Sequence, residues 1–415
     1  MRYLLKGGLL YGESPADVLI EDGLIAEIGD VRGGADEEID LKGRYVLPAL
    51  VDPHVHAREP GFEYKEDLVS VSEAAVFGGY AHVAVMPNTS PPVDTPEMIR
   101  SLKTRSEVLP LYVHFVGAIT KGREGRELVE MGLMKEAGAV AFSDDGDWIR
   151  DPAVMFNALL YASYVGLPVI THAEVPELAR GFAHYDTNNL KYGMRFRMAL
   201  AEELAVYRDV RIAEITGAHI HVAHVSSRDS LHLISRFKER GVKVTAEVTP
   251  HHLIFSTDRL PFYDPLYRVN PPIRSEEDRL ALIKALKSGV IDFVATDHAP
   301  HSYYEKEAPL TDALPGIEGL ETAFSSLYTY LVLSGEIHLK DLLLLMSERP
   351  ARFLGVDVGI EVGREANLFV FDQDAEWVVS EEDIRSKSKN NPFLGATLRG
   401  RVVLTFAKGS LAYRR

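Results

Sequence analysis

Residues 45–51, Tyr45-Val46-Leu47-Pro48-Ala49-Leu50-Val51, run directly into Asp52-Pro53-His54-Val55-His56. The apolar run reads as one buried strand. Side chains two apart on a strand point the same way, so His54 and His56 can grip a single cation at its end. Two surface histidines at a strand end would give the same three letters, and the remainder of the chain has to decide between these readings.

Outward from that stretch, short apolar segments alternate with longer amphipathic ones. Strands are expected over 47–54, 81–86, 111–118, 139–143, 168–172, 220–224, 242–248 and 291–297. Helical periodicity fills the gaps, as at 65–77, 153–164, 201–215, 230–240 and 277–286. Eight strand-then-helix repeats predict an α/β fold, a (β/α)8 TIM-like barrel. A doubly wound open sheet is the competitor, but no glycine-rich phosphate loop follows the first strand. The two ends differ from the middle. Residues 1–48 give short strands, with 18–20 and 24–28 joined across Glu21-Asp22-Gly23, and 365–415 give strands at 368–371, 377–379 and 402–407, the last turning at Lys408-Gly409 into 410–413. Together these ends predict a small composite β-sandwich domain, 1–48 with 365–415, beside a barrel domain over 49–364.

Barrel active sites are built at the C-terminal ends of the strands. His54 and His56 end the first strand, Asp144 and Asp145 the fourth, His172 the fifth, His224 the sixth and Asp297 the eighth. Imidazoles and carboxylates at five strand exits argue for a site rather than solvated loops. His219 and His221, earlier in the sixth strand, read as core or supporting histidines. His251 and His252 lie outside the expected ligand set.

Composition removes other classes. A net charge of -16 without a basic cluster excludes the electrostatic footprint of a nucleic-acid binder. The absence of cysteine leaves imidazole and carboxylate as the metal ligands and suits a reducing cytoplasm, the expected location. No long apolar segment suggests a membrane span or a signal peptide.

The motifs HVHAREPG (54–61), MPNT (86–89), FSDDG (142–146), THAE (171–174), HVAHVSS (221–227), TAEVTPHHL (245–253), VNPPIR (269–274) and ATDHAPH (295–301) occur in this order. Over about residues 45–325 the chain resembles the class I dihydroorotases, cyclic amidohydrolases of pyrimidine biosynthesis. Departures are Ala57 where a leucine is usual, THAEVP in place of an HCED-type sequence, and a poorly matching segment, 177–198.

The resemblance implies a binuclear zinc site. His54, His56 and Asp297 would hold one metal, His172 and His224 the other, and Asp144 would bridge them; no carboxylated lysine is expected, because 138–146 contains no lysine. The choice of Asp144 over Asp145 follows from motif alignment alone. Asp297 would be the general base in a reversible interconversion of N-carbamoyl-L-aspartate and L-dihydroorotate. Substrate contacts are implied for Arg58, Asn88, Asn270, His301 and the backbone at Pro315 and Gly316. Arg58, two residues beyond His56, can receive a carboxylate with two parallel bonds, its alternative being a surface ion pair with Glu59 or Glu63. Residues 302–317 form a polar loop placed to act as a lid or as a plain connector. The resemblance leaves open hydantoin- or allantoin-type substrates, a non-catalytic role, self-association and association with aspartate carbamoyltransferase.

Overall fold

The computed structural model describes residues 1–191, 193–261 and 264–415. Eight parallel strands, Leu50–Val55, Tyr80–Val85, Tyr112–Gly117, Ala139–Ser143, Val169–Thr171, Ile220–Val222, Val244–Val248 and Phe293–Val294, neighbour one another in chain order. The ring closes where Val55 bridges His298 and the His56 N–H donates to the His298 carbonyl at 2.9 Å. This is the expected barrel. Its strands are shorter than their apolar runs because residues at the exits leave the ladder. Asp297, for example, takes φ +48° just past the last strand.

The helices fill the gaps as expected, and local chemistry sets their ends. Leu68–Phe77 begins at Asp67, whose carboxylate accepts the Ser70 N–H. Pro152–Val165 begins at Asp151, which caps Ala153, and stops at Gly166 with φ +77°, a left-handed position that glycine adopts without steric cost. Ala199–Thr216, Arg228–Glu239 and Glu276–Ser288 cover the other three periodic segments. No helix among the described residues is long and apolar enough to cross a membrane.

The run 45–51 is not one strand. Tyr45–Pro48 pairs antiparallel with Leu368 to Phe371 in a separate sheet, whereas Leu50–Val55 belongs to the barrel. The division falls at Ala49, whose N–H goes to the Asn367 carbonyl at 3.0 Å, while the next N–H, of Leu50, goes to Gly79 at 2.9 Å. The second sheet takes Arg2–Leu10, Ser14–Glu21, Leu24–Gly29, Glu37–Asp40 and Tyr45–Pro48 from the N-terminal end, and Leu368–Val378, Thr397–Ala407 and Ser410–Arg414 from the C-terminal end. It curls around its own core of Leu5, Val18, Ile20, Val46, Leu368, Val370 and Phe406. Residues 368–371 and 377–379 are the two ends of one strand, with its register broken between Asp372 and Glu376.

Candidate metal centre and active site

The strand exits bring four imidazoles and two carboxylates into one buried group. His54 Nε2 lies 3.5 Å from Asp145 and 3.6 Å from Asp297 Oδ1; His56 Nε2 lies 3.5 Å from Asp145 and 3.0 Å from the same Asp297 oxygen. On the other side, His172 Nδ1 and His224 Nε2 are 3.0 Å apart and lie 3.9 and 3.8 Å from Asp145 Oδ1. Two overlapping sets result, His54–His56–Asp145 and Asp145–His172–His224. Arg58, His224 and Asp297 have φ of +60°, +35° and +48°. Such backbone is costly for residues other than glycine and clusters at functional sites.

The carboxylate shared by both sets is Asp145, and the expectation for Asp144 is corrected. Asp144 turns the other way: its Oδ1 accepts the N–H groups of Ile119 (2.8 Å) and Thr120 (3.1 Å), and its Oδ2 accepts the Thr120 hydroxyl. Those bonds fix the loop after the third strand. Asp145 Oδ1, by contrast, is buried without a hydrogen-bond partner, as is His54 Nε2. Buried polar atoms are rarely left so. Two ligands about 2.0–2.1 Å from one tetrahedral ion stand about 3.3 Å apart, close to these unsatisfied separations. With imidazole and carboxylate donors only, the group fits divalent cations.

Electrostatics agree. Burial disfavours an ionised Asp145, yet His54, His224 and His56 outweigh it and hold the carboxyl well below the usual range. For Asp297 burial is likewise overcome, by the His56 hydrogen bond and the His54 charge, and the carboxyl sits at about 2.

The histidines are aimed by partners that sequence reading did not single out. Glu247, in the seventh strand, accepts from His54 Nδ1 at 2.6 Å and from His221 Nε2 at 3.0 Å. His221 is thus a supporting residue, as expected. A Glu in a strand otherwise lined by Val244, Ala246 and Val248 was the available signal, since a buried acid needs a partner. Asn88 Oδ1 takes His56 Nδ1 at 2.9 Å, so the residue expected at the substrate also orients a histidine of the cluster. His172 Nε2 meets Glu174 at 3.2 Å, and Arg197 pairs with Glu174 at 2.6 Å. Arg197 belongs to the poorly matching segment 177–198, of which Tyr192 lies outside the described residues. His251 and His252 stay outside both sets; His252 Nε2 holds the Pro271 carbonyl at 3.1 Å.

Arg58 is half-buried and pairs with neither Glu59 nor Glu63. Its Nε donates to the Pro300 carbonyl at 3.1 Å, and one terminal nitrogen lies 3.4 Å from His301 Nε2. Glu59 instead accepts the Leu68 N–H and pairs with Arg105, and Glu63 accepts the Gly61 N–H. Removal from water lowers Arg58 to about 10, against the pull of Asp297 and Asp145, which leaves it charged at neutral pH. His301 Nε2 also reaches the Pro315 carbonyl at 2.9 Å. Gly316 is required by close approach, because a Cβ there would stand 2.5 Å from the Ala299 carbonyl oxygen. Asn270 is half-buried beside Pro271. The loop 302–317 is tied down by the buried Lys306 ammonium, which donates to the carbonyls of Arg268, Leu314 and Gly316. From the C-terminal segment, Asn390 accepts the His301 N–H at 3.2 Å and donates to Ala299 and Gly316.

A model of the Amidohydrolase family matches residues 45–412. A dihydroorotase of Carboxydothermus hydrogenoformans is 48% identical over 403 residues, covering 96% of this chain and 94% of that one. A dihydroorotase of Aquifex aeolicus is 43% identical over 405 residues, covering 97% and 96%. Among solved structures, an L-hydantoinase (dihydropyrimidinase) from Arthrobacter aurescens superposes with a TM-score of 0.88 at 27% identity, covering 99% and 96%. The chain belongs to the amidohydrolase family. Within it the chain stands with the dihydroorotases and is an enzyme, a cyclic amide hydrolase.

Proposed function

We propose that this dihydroorotase works with two divalent cations, zinc by the character of its ligands, one held by His54, His56 and Asp297, the other by His172 and His224, with Asp145 shared between them. Such ions supply a nucleophile at neutral pH by lowering the pKa of water to about 7, and they polarise the amide under attack. Asp297 takes the proton of the attacking water and returns it to the departing ring nitrogen, a general-base contribution of typically ~10²–10⁴-fold. Glu247, Asn88 and Glu174 hold the imidazoles of His54, His56 and His172 in the orientation that presents one nitrogen of each inward. In the reverse direction, the same residues close N-carbamoyl-L-aspartate to L-dihydroorotate, the direction pyrimidine synthesis needs.

The observation that carries the substrate is Arg58. It is a charged guanidinium withdrawn from solvent beside His301 and two residues from His56, and among the described residues no carboxylate pairs with it. A ring carboxylate fits it, and hydantoin and allantoin rings have none. Asn88, Asn270, His301 and the backbone of Pro315 and Gly316 complete the binding surface. Residues 302–317 act as a pinned wall. The chemistry belongs to 49–364, and 1–48 with 365–415 form the supporting domain, which reaches the mouth through Asn390. Cytoplasmic location, and any association with itself or with aspartate carbamoyltransferase, complete the proposal.

Ultraviolet absorbance with dihydroorotate, hydantoin and allantoin, before and after metal stripping, tests this reading. Zinc-restored opening confined to dihydroorotate is the expected result. Opening of the neutral rings alone overturns it.

A further inference from the structure

One residue beyond Asp297, His298 enters a second buried cluster on different partners. Its Nε2 lies 3.4 Å from Glu66, and its Nδ1 lies 4.0 Å from Glu318 Oε2 and 3.2 Å from the Gly319 N–H. Glu66, Glu318 and Glu321 are 0%, 0% and 4% exposed. Glu66 is held by the Ser70 and Ser386 hydroxyls, and Glu321 Oε1 by the N–H groups of Arg385 (2.8 Å) and Ser386 (2.9 Å). Among the described residues no Lys or Arg side chain pairs with any of the three carboxylates. Both oxygens of Glu318 and the second oxygen of Glu321 are buried without a well-formed hydrogen bond, with Asn391 and Glu321 standing beside Glu318. One ligand atom each from His298, Glu318 and Glu321 lie within 4.8 Å of one another.

Three buried carboxylates against at most one imidazolium leave a deficit of positive charge in a region closed to water. Burying unpaired charge costs far more than burying a hydrogen-bonded group, and the usual resolutions are protonation or a coordinated cation. Burial, and then the Glu321 charge beside it, push the Glu318 carboxyl well above its usual range, so without a cation it takes up a proton. Three carboxylate oxygens, two of Glu318 and one of Glu321, beside the His298 imidazole instead offer an oxygen-rich, single-imidazole cage.

We infer that His298, Glu318 and Glu321, with Glu66 behind His298, form a third divalent-cation site of the zinc or manganese class. It is separate from the two-ion centre and ties the exit of the last barrel strand to the C-terminal segment at 385–386. The ion enters as the chain folds, since no ligand atom is open to solvent, and its binding contributes to the stability of that junction.

Stripped full-length chain is refolded and dialysed to equilibrium against ZnCl2 or MnCl2, and bound metal per chain is measured by mass spectrometry. Three ions are expected in the wild type, two in Glu318→Gln and one in Asp145→Ala. Removing each site in turn separates failure of this inference from failure of the two-ion reading. If Glu318→Gln does not fold by circular dichroism, Glu321→Gln, which keeps an acceptor for the Arg385 and Ser386 N–H groups, replaces it and is likewise expected to lose one ion. Equal metal content in the wild type and the folded variant overturns the inference. So does an infrared carbonyl band of a protonated carboxylic acid that is present in metal-loaded wild type and missing from the variant, because the cluster then holds a proton instead.

Discussion

Two groups of histidines withdrawn from solvent stand on the same barrel, with His114 of the second group half-buried. His54, His56, His172 and His224 lie at the strand exits among Asp145, Asp297, Glu174 and Glu247. His82 and His114 lie early in the second and third strands, 3.1 Å apart and stacked, and among the described residues neither meets a carboxylate. Burial pulls His82 down to about 3 and His114 to about 4, so that pair stays neutral. Burial acts on His54 too, but Glu247 and Asp145 outweigh it and raise its pKa. The difference is acidic company, and imidazole alone does not make a cation site.

The comparison breaks most visibly at Asp145. Asp145→Asn is expected to lose bound metal and more than ~10²-fold in kcat/KM, since even a residue behind a ligand costs ~10–100-fold. Asp144→Asn should keep its metal and lose stability, by about 1–3 kcal/mol, through the loop it caps. Equal metal loss in both variants would return the bridging role to Asp144. Next is Arg58→Ala, for which the KM for dihydroorotate should rise about 10²-fold with metal content unchanged, reflecting two lost charge-assisted bonds. An unaltered KM would remove the carboxylate from this position. Glu247→Gln should weaken metal binding roughly 10-fold, read by competition with a chelator, and His221→Phe less, because its contact is one step further out.

The smallest effect sharpens the contrast from the metal-free side. The unfolded imidazole titrates near ~6.5, above the folded values of His82 and His114. As pH falls below ~6.5 the unfolded chain binds protons that the folded chain refuses, so stability declines until about pH 4 for His114 and about pH 3 for His82. His82→Leu should flatten that decline by roughly 2 kcal/mol between pH 7 and 4.5, measured by denaturant midpoints. An unchanged slope would mean that the pair is already protonated.

The barrel was legible because its strands are apolar runs bounded by helices of clear period. The clustered histidines His54, His56, His172 and His224 were legible because they sit where those runs stop. The boundary inside 45–51 was not, since strands of two different sheets have the same apolar composition and only the Ala49 and Leu50 N–H partners separate them. Nor was the choice between Asp144 and Asp145, because at a strand exit neighbouring side chains diverge and the sequence does not say which turns inward. Glu247, Arg197 and Asn390 act across long separations, which no local pattern reports, whereas Glu174 stands two residues from His172 inside the THAE motif. His298, Glu318 and Glu321 were silent for the same reason.

Ala49 joins the sheet made by both ends of the chain to the strand that carries His54 and ends just before His56. The outer partner of Tyr45–Pro48 is supplied only by Leu368 to Phe371, more than three hundred residues later. A translation product that stops short of 368 therefore keeps Tyr45–Pro48 on Arg2–Leu10 alone, with one edge open just before the strand that leads to His54 and His56.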